Sequence, residues 1–207
     1  MYKRILLKLS GEALSAPDFP FSTEMLEKIA LQVKEIREMG VDVGIVVGGG
    51  NICRGRIFEE LGFDRVKADY AGMLATVINA IMFAAELNKV GVKALPMSAV
   101  KAQNVLDFDK DEANRLMDEG NVLVFGGGYG LPYYSTDTGS AQRAMDIGAD
   151  MMLMAKSGNC SRRAKCHPIT NTAPIGLRST RSDLFTLLTL ETIFFYHNQN
   201  QNNNENS

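Results

Sequence analysis

Short, continuous apolar runs alternate with longer amphipathic segments over residues 1–156. The apolar runs predict strands over 2–9, 41–47, 92–95, 121–125 and 150–154. Apolar residues at helical spacing predict helices that begin near residues 22, 69, 111 and 138. Strands that are apolar throughout are typical of a mainly parallel sheet covered by helices on both faces. The alternation therefore predicts an α/β fold.

The charge balance argues against several kinds of partner. Lys and Arg number 22 against 24 Asp and Glu, which gives a formal net charge of -2. This balance supplies no overall basic field for a nucleic-acid backbone or an anionic membrane surface, so a phosphate site would have to be local. Three cysteines without a CxxC pair favour a reducing compartment. We expect a cytoplasmic protein with no nucleic-acid or membrane partner.

The character of the sequence changes after Lys156. The preceding part, 1–156, is predicted to form one folded domain around a single core. Residues 157–196 begin with a polar and basic stretch and end with a run rich in Leu, Phe and Thr. Residues 197–207 are almost entirely Asn and Gln, a composition typical of disorder. We therefore predict three consecutive parts of different kinds.

Two polar loops follow the first two predicted strands. The first contains Lys8, Ser10 and Gly11, and the second contains Gly48, Gly49, Gly50, Asn51 and Arg54. Ligands of open parallel sheets collect at the carboxyl ends of strands, where glycine lets backbone N–H groups approach an anion. The alternative interpretation is a lysine that extends to water and a tight turn between strand and helix.

A carboxylate and a third loop complete the set of candidates. Asp69 stands at the predicted start of the second helix, where it either caps that helix or accepts hydrogen bonds from ribose hydroxyls. The loop 126–140 follows a predicted strand and contains Gly130, Ser135, Thr136 and Asp137. Its hydroxyl and amide groups suit a phosphate, although the same residues form an ordinary helix cap.

Five segments in order resemble the UMP kinases of the amino acid kinase superfamily. These are YKRILLKLSGEAL, GIVVGGGNICRG, ADYAGMLATVINA, PYYSTDT and AMDIGADMMLMAK. The similarity covers residues 2–156. The ADYAGMLATVINA and STDT segments are closer to UMP kinases than to aspartate, acetylglutamate or carbamate kinases.

The resemblance implies a three-layer α/β/α sandwich, usually assembled as a hexamer. It also implies transfer of the γ-phosphoryl group of MgATP to UMP in pyrimidine biosynthesis, with Mg²⁺ bound to ATP and no protein-bound metal site. Lys8, Arg54 and Asp137 would act on the transferring group. Residues implied to bind ATP are Lys8, Ser10, Gly11, Gly50 and Arg54, and those implied to bind UMP are Gly49, Asp69, Gly130, Ser135 and Thr136.

The sequence also departs from that family at three points. Tyr129 and Leu131 stand where threonine and asparagine are common in the UMP loop. After Gly158 the chain lacks the Val-Asp-Gly-Val-Tyr and Asp-Pro segments that help to hold the adenine nucleotide, and it ends earlier than typical members. Two alternatives therefore stand beside the active kinase. One is a catalytically impaired nucleotide-binding remnant, and the other is a relative that phosphorylates a carboxylate or carbamate.

Overall fold

The computed structural model describes residues 2–53 and 55–155. The strands are β1 Arg4–Leu9, β2 Asp42–Val47, β3 Ala94–Ser98, β4 Leu106–Asp107, β5 Val122–Gly126 and β6 Met151–Ala155. The helices are α1 Thr23–Glu38, α2 Gly55–Glu60, α3 Arg65–Lys89, α4 Lys110–Asp118 and α5 Thr136–Asp146, with a 3-10 helix at Gly11–Leu14. The predictions for Arg54, 157–196 and 197–207 lie outside the described residues.

The six strands form one sheet in the order β4-β3-β5-β2-β1-β6. Every pairing among them is parallel. Leu9 at the end of β1 pairs with Val47 of β2 and with Ala155 of β6. The carboxyl ends of these strands are therefore level, and the loops that follow them emerge at one edge. The predicted mainly parallel sheet is confirmed.

Alternating side chains of the strands divide the core into two layers. Ile5, Leu7 and Leu9 of β1 pack in the cluster that contains the apolar faces of α1 and α3. Leu6 points to the other side, into the cluster built from α4 and α5. Because successive residues of a strand face opposite sides, Lys8 shares the face of Leu6 and lies toward α5. The architecture is the predicted three-layer α/β/α sandwich.

The long helix α3 begins four residues before the predicted start. Its cap is Asp64, whose carboxylate accepts a hydrogen bond from the Lys67 backbone nitrogen at 3.1 Å. The prediction that Asp69 stands at the start of the helix, and its interpretation as the cap, are therefore wrong. Arg65 and Lys67 flank Val66 in this first turn, so the apolar pattern is weak toward the true cap. Asp69 lies in the second turn, with its side chain available for other contacts.

The other boundaries differ from the predicted ones by a few residues. Strand β3 runs two to three residues later than 92–95, and α5 begins at Thr136 rather than near residue 138. The sequence pattern did not predict α2 or β4. Both β4 residues are exposed, so β4 offers no apolar run to detect.

Helix α3 is the one described helix that is long and apolar enough to cross a membrane. Half of its most apolar stretch is buried inside the protein. Ala80, Phe83 and Leu87 are fully buried against the sheet. In this fold the apolar composition of α3 is that of a core helix.

Candidate functional site

A cavity of about 220 Å³ lies at the carboxyl edge of the sheet. Its walls are the loop after β2, the first half of α3 and the loop between β5 and α5. The lining residues, in that order, are Gly49, Gly50 and Cys53, then Ala68, Asp69, Gly72, Met73 and Thr76, then Gly128, Leu131, Tyr134, Ser135 and Thr136. Ligands of open parallel sheets bind at this edge, so the cavity is the candidate site.

The loops after β1 and β2 pack directly against each other. A Cβ atom added to Gly11 would lie 2.8 Å from the Gly50 nitrogen and 2.9 Å from the Gly48 oxygen. No side chain fits in that space, so only glycine allows the two backbones to approach so closely. The two loops therefore form one continuous backbone surface, of the kind that holds phosphate through N–H groups.

A pair of side-chain amides holds the glycine loop in place. Asn79 of α3 is fully buried and donates hydrogen bonds to the Gly48 oxygen at 2.6 Å and to Asn51 Oδ1 at 2.7 Å. Asn51 donates to Asn79 Oδ1 at 3.1 Å and to the Pro20 oxygen at 2.7 Å. Buried amides are stable only when so paired. Sequence reasoning missed Asn79, although a polar residue on the buried face of an apolar helix was an available signal.

Thr76 plays the matching role for the loop after β5. Its hydroxyl donates to the Met73 oxygen at 2.7 Å and accepts from the Gly127 nitrogen at 2.7 Å. Thr76 lies seven positions after Asp69, two helical turns along the same face of α3. Gly72 and Met73 lie between them on the same face. This helical spacing was the signal in the sequence that could have identified Gly72, Met73 and Thr76 as cavity residues together with Asp69.

Asp69 connects two walls of the cavity. Its Oδ2 accepts a hydrogen bond from the Tyr133 backbone nitrogen at 2.8 Å. Its Oδ1 accepts from Arg65 Nε at 2.9 Å. The side chain is 17% exposed and lines the cavity. Asp69 is therefore positioned to accept further hydrogen bonds from a ligand, while its role toward ribose stays a prediction.

Lys8 and Asp137 form an ion pair beside the cavity. Lys8 is 7% exposed, and its Nζ lies 3.1 Å from Asp137 Oδ1. The pair joins the carboxyl end of β1 to the first turn of α5, because Lys8 lies on the face of the sheet that α5 covers. Ser10 Oγ, two residues on, is buried without a hydrogen-bond partner among the described residues. A cation and an unpaired hydroxyl thus lie within one short segment.

The amino end of α5 forms the third wall. Ser135 caps the helix, since its Oγ accepts from the Thr138 nitrogen at 3.1 Å. The capping interpretation of Ser135 is thus confirmed, and both Ser135 and Thr136 also line the cavity. The first N–H groups of a helix, together with its dipole, favour an anion at this position. Phosphate binding by these two residues stays a prediction.

Five of the predicted site residues line the cavity, namely Gly49, Gly50, Asp69, Ser135 and Thr136. Lys8, Ser10, Gly11 and Asp137 belong to the adjoining segments without lining it, Gly130 does not line it, and Arg54 lies outside the described residues. Gly130 forms a turn behind the wall, where its nitrogen donates to the Gly127 oxygen at 3.0 Å. The two aromatic rings of this loop, Tyr129 and Tyr134, stack with their centroids 4.5 Å apart. Tyr129 therefore supports Tyr134, which lines the cavity, rather than lining it itself.

Ionisable groups other than Asp69 are few in the cavity wall. Burial raises the pKa of the Cys53 thiol, so this residue is a neutral, weakly nucleophilic group at pH 7. Sequence reasoning did not include Cys53 in the site. Across residues 2–53 and 55–155, no three His, Cys, Asp or Glu side chains converge as they would on a bound metal ion.

Comparisons with known proteins identify the family of this fold. Residues 3–159 match the model of the amino acid kinase family. The UMP kinase of Bacillus anthracis superposes with a TM-score of 0.73 and 39% identity, over 76% of this chain and 66% of that enzyme. The UMP kinase of Ureaplasma parvum gives a TM-score of 0.73 and 34% identity, over 77% of this chain and 71% of that one. The uridylate kinase of Archaeoglobus fulgidus is more distant, with a TM-score of 0.53 and 26% identity over 73% of this chain and 63% of that one.

Proposed function

The chain belongs to the amino acid kinase family and resembles UMP kinases, and from this premise we propose that it transfers the γ-phosphoryl group of MgATP to UMP. The products are UDP and ADP, and the reaction is a step of pyrimidine nucleotide biosynthesis. The observation that carries the proposal is that Asp69, Ser135 and Thr136 line one cavity next to the Lys8–Asp137 pair.

The hydrogen-bond groups of the cavity suit a nucleoside monophosphate. We assign the ribose hydroxyls to Asp69, because an ionised carboxylate only accepts hydrogen bonds. We assign the phosphate of UMP to Ser135 and Thr136 at the amino end of α5, where the dipole favours an anion. Gly49 also lines the cavity and would contact the same nucleotide through its backbone.

The donor nucleotide is assigned to the loops after β1 and β2. Ser10, Gly11 and Gly50 form the backbone surface there, and we assign Lys8 and Arg54 to the charge on the transferring phosphoryl group. Asp137 would hold Lys8 in place through the 3.1 Å ion pair. Mg²⁺ would arrive on the phosphates of ATP, as it usually does in kinases, and would neutralise their charge.

The transfer requires positioning more than acid–base chemistry. A phosphate oxygen of UMP forms the new bond to the γ-phosphorus of ATP, while the bond from that phosphorus to the β,γ-bridging oxygen breaks and ADP leaves with the electron pair. A phosphate monoester is largely dianionic at pH 7, so no residue must remove a proton from the nucleophile. The protein therefore acts by alignment and by stabilising negative charge.

The proposal is tested by measuring UDP formation from UMP and MgATP with the purified chain. The controls are Lys8→Ala for turnover and calorimetry of UMP binding without ATP. Turnover that Lys8→Ala abolishes would support the kinase. Binding of UMP without turnover would support the nucleotide-binding remnant instead, which the departures after Gly158 favour. A chain that phosphorylates a carboxylate or carbamate but not UMP would revive the third hypothesis.

We also propose that the chain self-associates, as the hexamer implied by its resemblance would require. Helix α3 presents a row of large apolar side chains to solvent at helical spacing: Tyr70, Leu74, Ile78, Ile81 and Met82, each 41–49% exposed. Such a continuous apolar row is typical of a contact surface. Sedimentation of the wild type and of Leu74→Glu/Ile78→Glu tests this, because a wild type that sediments as a monomer would contradict the proposal.

The cytoplasm is the proposed location of this activity. The near-neutral net charge and the absence of a CxxC pair support it. Fractionation of cells that express the chain, with an antibody against it, tests the proposal. Recovery with membranes after a high-salt wash would contradict it.

A further inference from the structure

Arg65 makes two contacts that converge on the wall of the cavity. Its Nε donates to Asp69 Oδ1 at 2.9 Å, one helical turn along α3. Its guanidinium carbon also lies 5.7 Å from the centroid of the Tyr133 ring. Tyr133 is the residue whose backbone nitrogen donates to the other carboxylate oxygen of Asp69. Arg65, Asp69 and Tyr133 thus form a closed cluster, called here the Arg65 latch.

The latch joins two walls that no strand pairing connects. Arg65 and Asp69 belong to α3, whereas Tyr133 belongs to the loop between β5 and α5. Tyr133 has φ 70°, a left-handed conformation that is uncommon for a bulky L-residue. It follows Pro132 in a turn, where a positive φ at the third position is favoured locally. Its ring is 66% exposed, so the described contacts that fix this turn to α3 are those with Asp69 and Arg65.

We propose that Arg65 is a positioning residue for UMP binding, acting through Asp69 and the Tyr133 loop. The proposal rests on the function proposed above. With Oδ1 taking the Arg65 donor and Oδ2 the Tyr133 amide, each oxygen retains a second acceptor position. Those remaining positions belong to a carboxylate that lines the cavity, so the latch sets the direction in which Asp69 receives the ribose hydroxyls.

The latch also positions the phosphate subsite. Tyr134, Ser135 and Thr136 line the cavity immediately after Tyr133. A loop released at Tyr133 would move the Ser135 cap and the amino end of α5 relative to Asp69. Arg65 therefore fixes the distance between the two groups that would hold opposite ends of UMP.

The test is calorimetry of UMP binding in a double-mutant cycle of Arg65→Ala and Asp69→Asn. We expect Arg65→Ala to weaken UMP binding about tenfold in the wild type and at most about twofold in the Asp69→Asn background, because the coupling runs through the carboxylate. Arg65→Lys keeps the charge and should recover part of the affinity. Arg115→Ala removes another exposed arginine that pairs with carboxylates along its own helix, on α4, and should not change UMP affinity.

A second readout needs no nucleotide. Amide hydrogen exchange of the peptide that contains Tyr133 should be faster in Arg65→Ala than in the wild type, with no change in Arg115→Ala. Equal losses of affinity in both backgrounds would mean that Arg65 contacts UMP directly, and unchanged exchange would mean that no latch holds the loop. Either result overturns the proposed role of Arg65 and leaves the proposed function standing. A wild-type chain that binds no UMP, despite a protected Tyr133 amide, overturns the proposed function and the nucleotide role of Arg65 with it.

Discussion

The two ends of the sheet treat polar groups in opposite ways. At the amino end, Arg4 donates to Asn114 Oδ1 and the Ile147 oxygen, and its other nitrogen pairs with Asp42 and Asp118. At the carboxyl end, the described ion pairs at the cavity are Lys8–Asp137 and Arg65–Asp69, and Ser10 Oγ is buried without a partner in the described part of the chain.

This difference separates stability from ligand binding. At the amino end, Arg4 and Asp42 meet charged partners within the protein, so these contacts contribute to folding. At the carboxyl end, backbone amides, a hydroxyl and a carboxylate keep hydrogen-bonding capacity for a ligand. Groups with unused capacity cost stability and cluster at functional sites. The following changes should therefore affect activity at one end and folding at the other.

Lys8→Ala should have the largest effect and should act on catalysis alone. Loss of a cation that stabilises the transferring group costs about 10²–10³ in kcat. The melting temperature should change by only a few degrees, because Asp137 is 41% exposed and can be hydrated when its partner is gone. Steady-state assays and thermal melts of the same preparation measure both. A large fall in the melting temperature would show that the carboxyl end also contributes strongly to stability.

Arg4→Met should produce the opposite result at the amino end. It removes two neutral and two ionic contacts from a side chain that is 14% exposed. We expect a loss of about 2 kcal/mol in the free energy of unfolding, less than for a fully buried pair because Asp118 is 71% exposed. Urea unfolding measures it. UMP affinity of the folded protein should stay at the wild-type value, and a large change would show that the two ends are coupled.

Asn79→Ala should reduce both stability and ligand binding, because this residue is buried in the core and also holds the glycine loop. It leaves the Gly48 oxygen and the Asn51 amide without their buried partner. We expect a loss of about 2 kcal/mol in the free energy of unfolding. We also expect weaker nucleotide binding, because the glycine loop loses its anchor. Urea unfolding measures the first effect, and calorimetry of UMP binding measures the second. Asn88 on the same helix is not a suitable control, because it bonds to the Ala94 backbone. A loss of stability without a change in UMP affinity would show that Asn79 acts only in the core.

The thiol of Cys53 should give the smallest effect. Since burial raises the pKa of the Cys53 thiol, its fraction of thiolate at pH 8 is lower than for a free thiol. Alkylation of Cys53, followed by peptide mapping, should therefore be slower than for a free cysteine and should accelerate as the pH rises. Because Cys53 lines the cavity, UMP should slow it further. Reaction as fast as that of a free thiol would show that the cavity wall opens readily.

The sheet could be predicted from the sequence because both faces of its central strands are buried, which requires apolar residues that follow one another in the chain. Leu6 and Leu7 are buried on opposite faces, so the centre of β1 has to be apolar on both, and such a run is visible without any knowledge of partners. The three loops could be located because each begins where an apolar run ends. Asp69, Ser135 and Thr136 were identified as candidates, and they do line one cavity.

The contacts that organise the site could not be predicted in the same way. Asn79 and Thr76 look like interior positions of an amphipathic helix, and only the folded chain shows that they hold glycine loops. The Arg65 latch depends on contacts of Tyr133 with two residues of α3, which lies far from Tyr133 in the chain. Pairing of Lys8 with Asp137 joins distant parts of the chain through the strand order.

The position of β1 between β2 and β6 has a consequence for biosynthesis. The backbone nitrogen of Arg4 bonds to the Asp150 carboxylate, 146 residues later in the chain. A ribosome that adds about 5–20 residues per second needs roughly 7–30 s to make the intervening segment. During that time the nascent β1 has an open edge where β6 will pair, and such edges invite pairing with other chains. Translation speed and chaperone access should therefore influence how much of this protein is recovered intact.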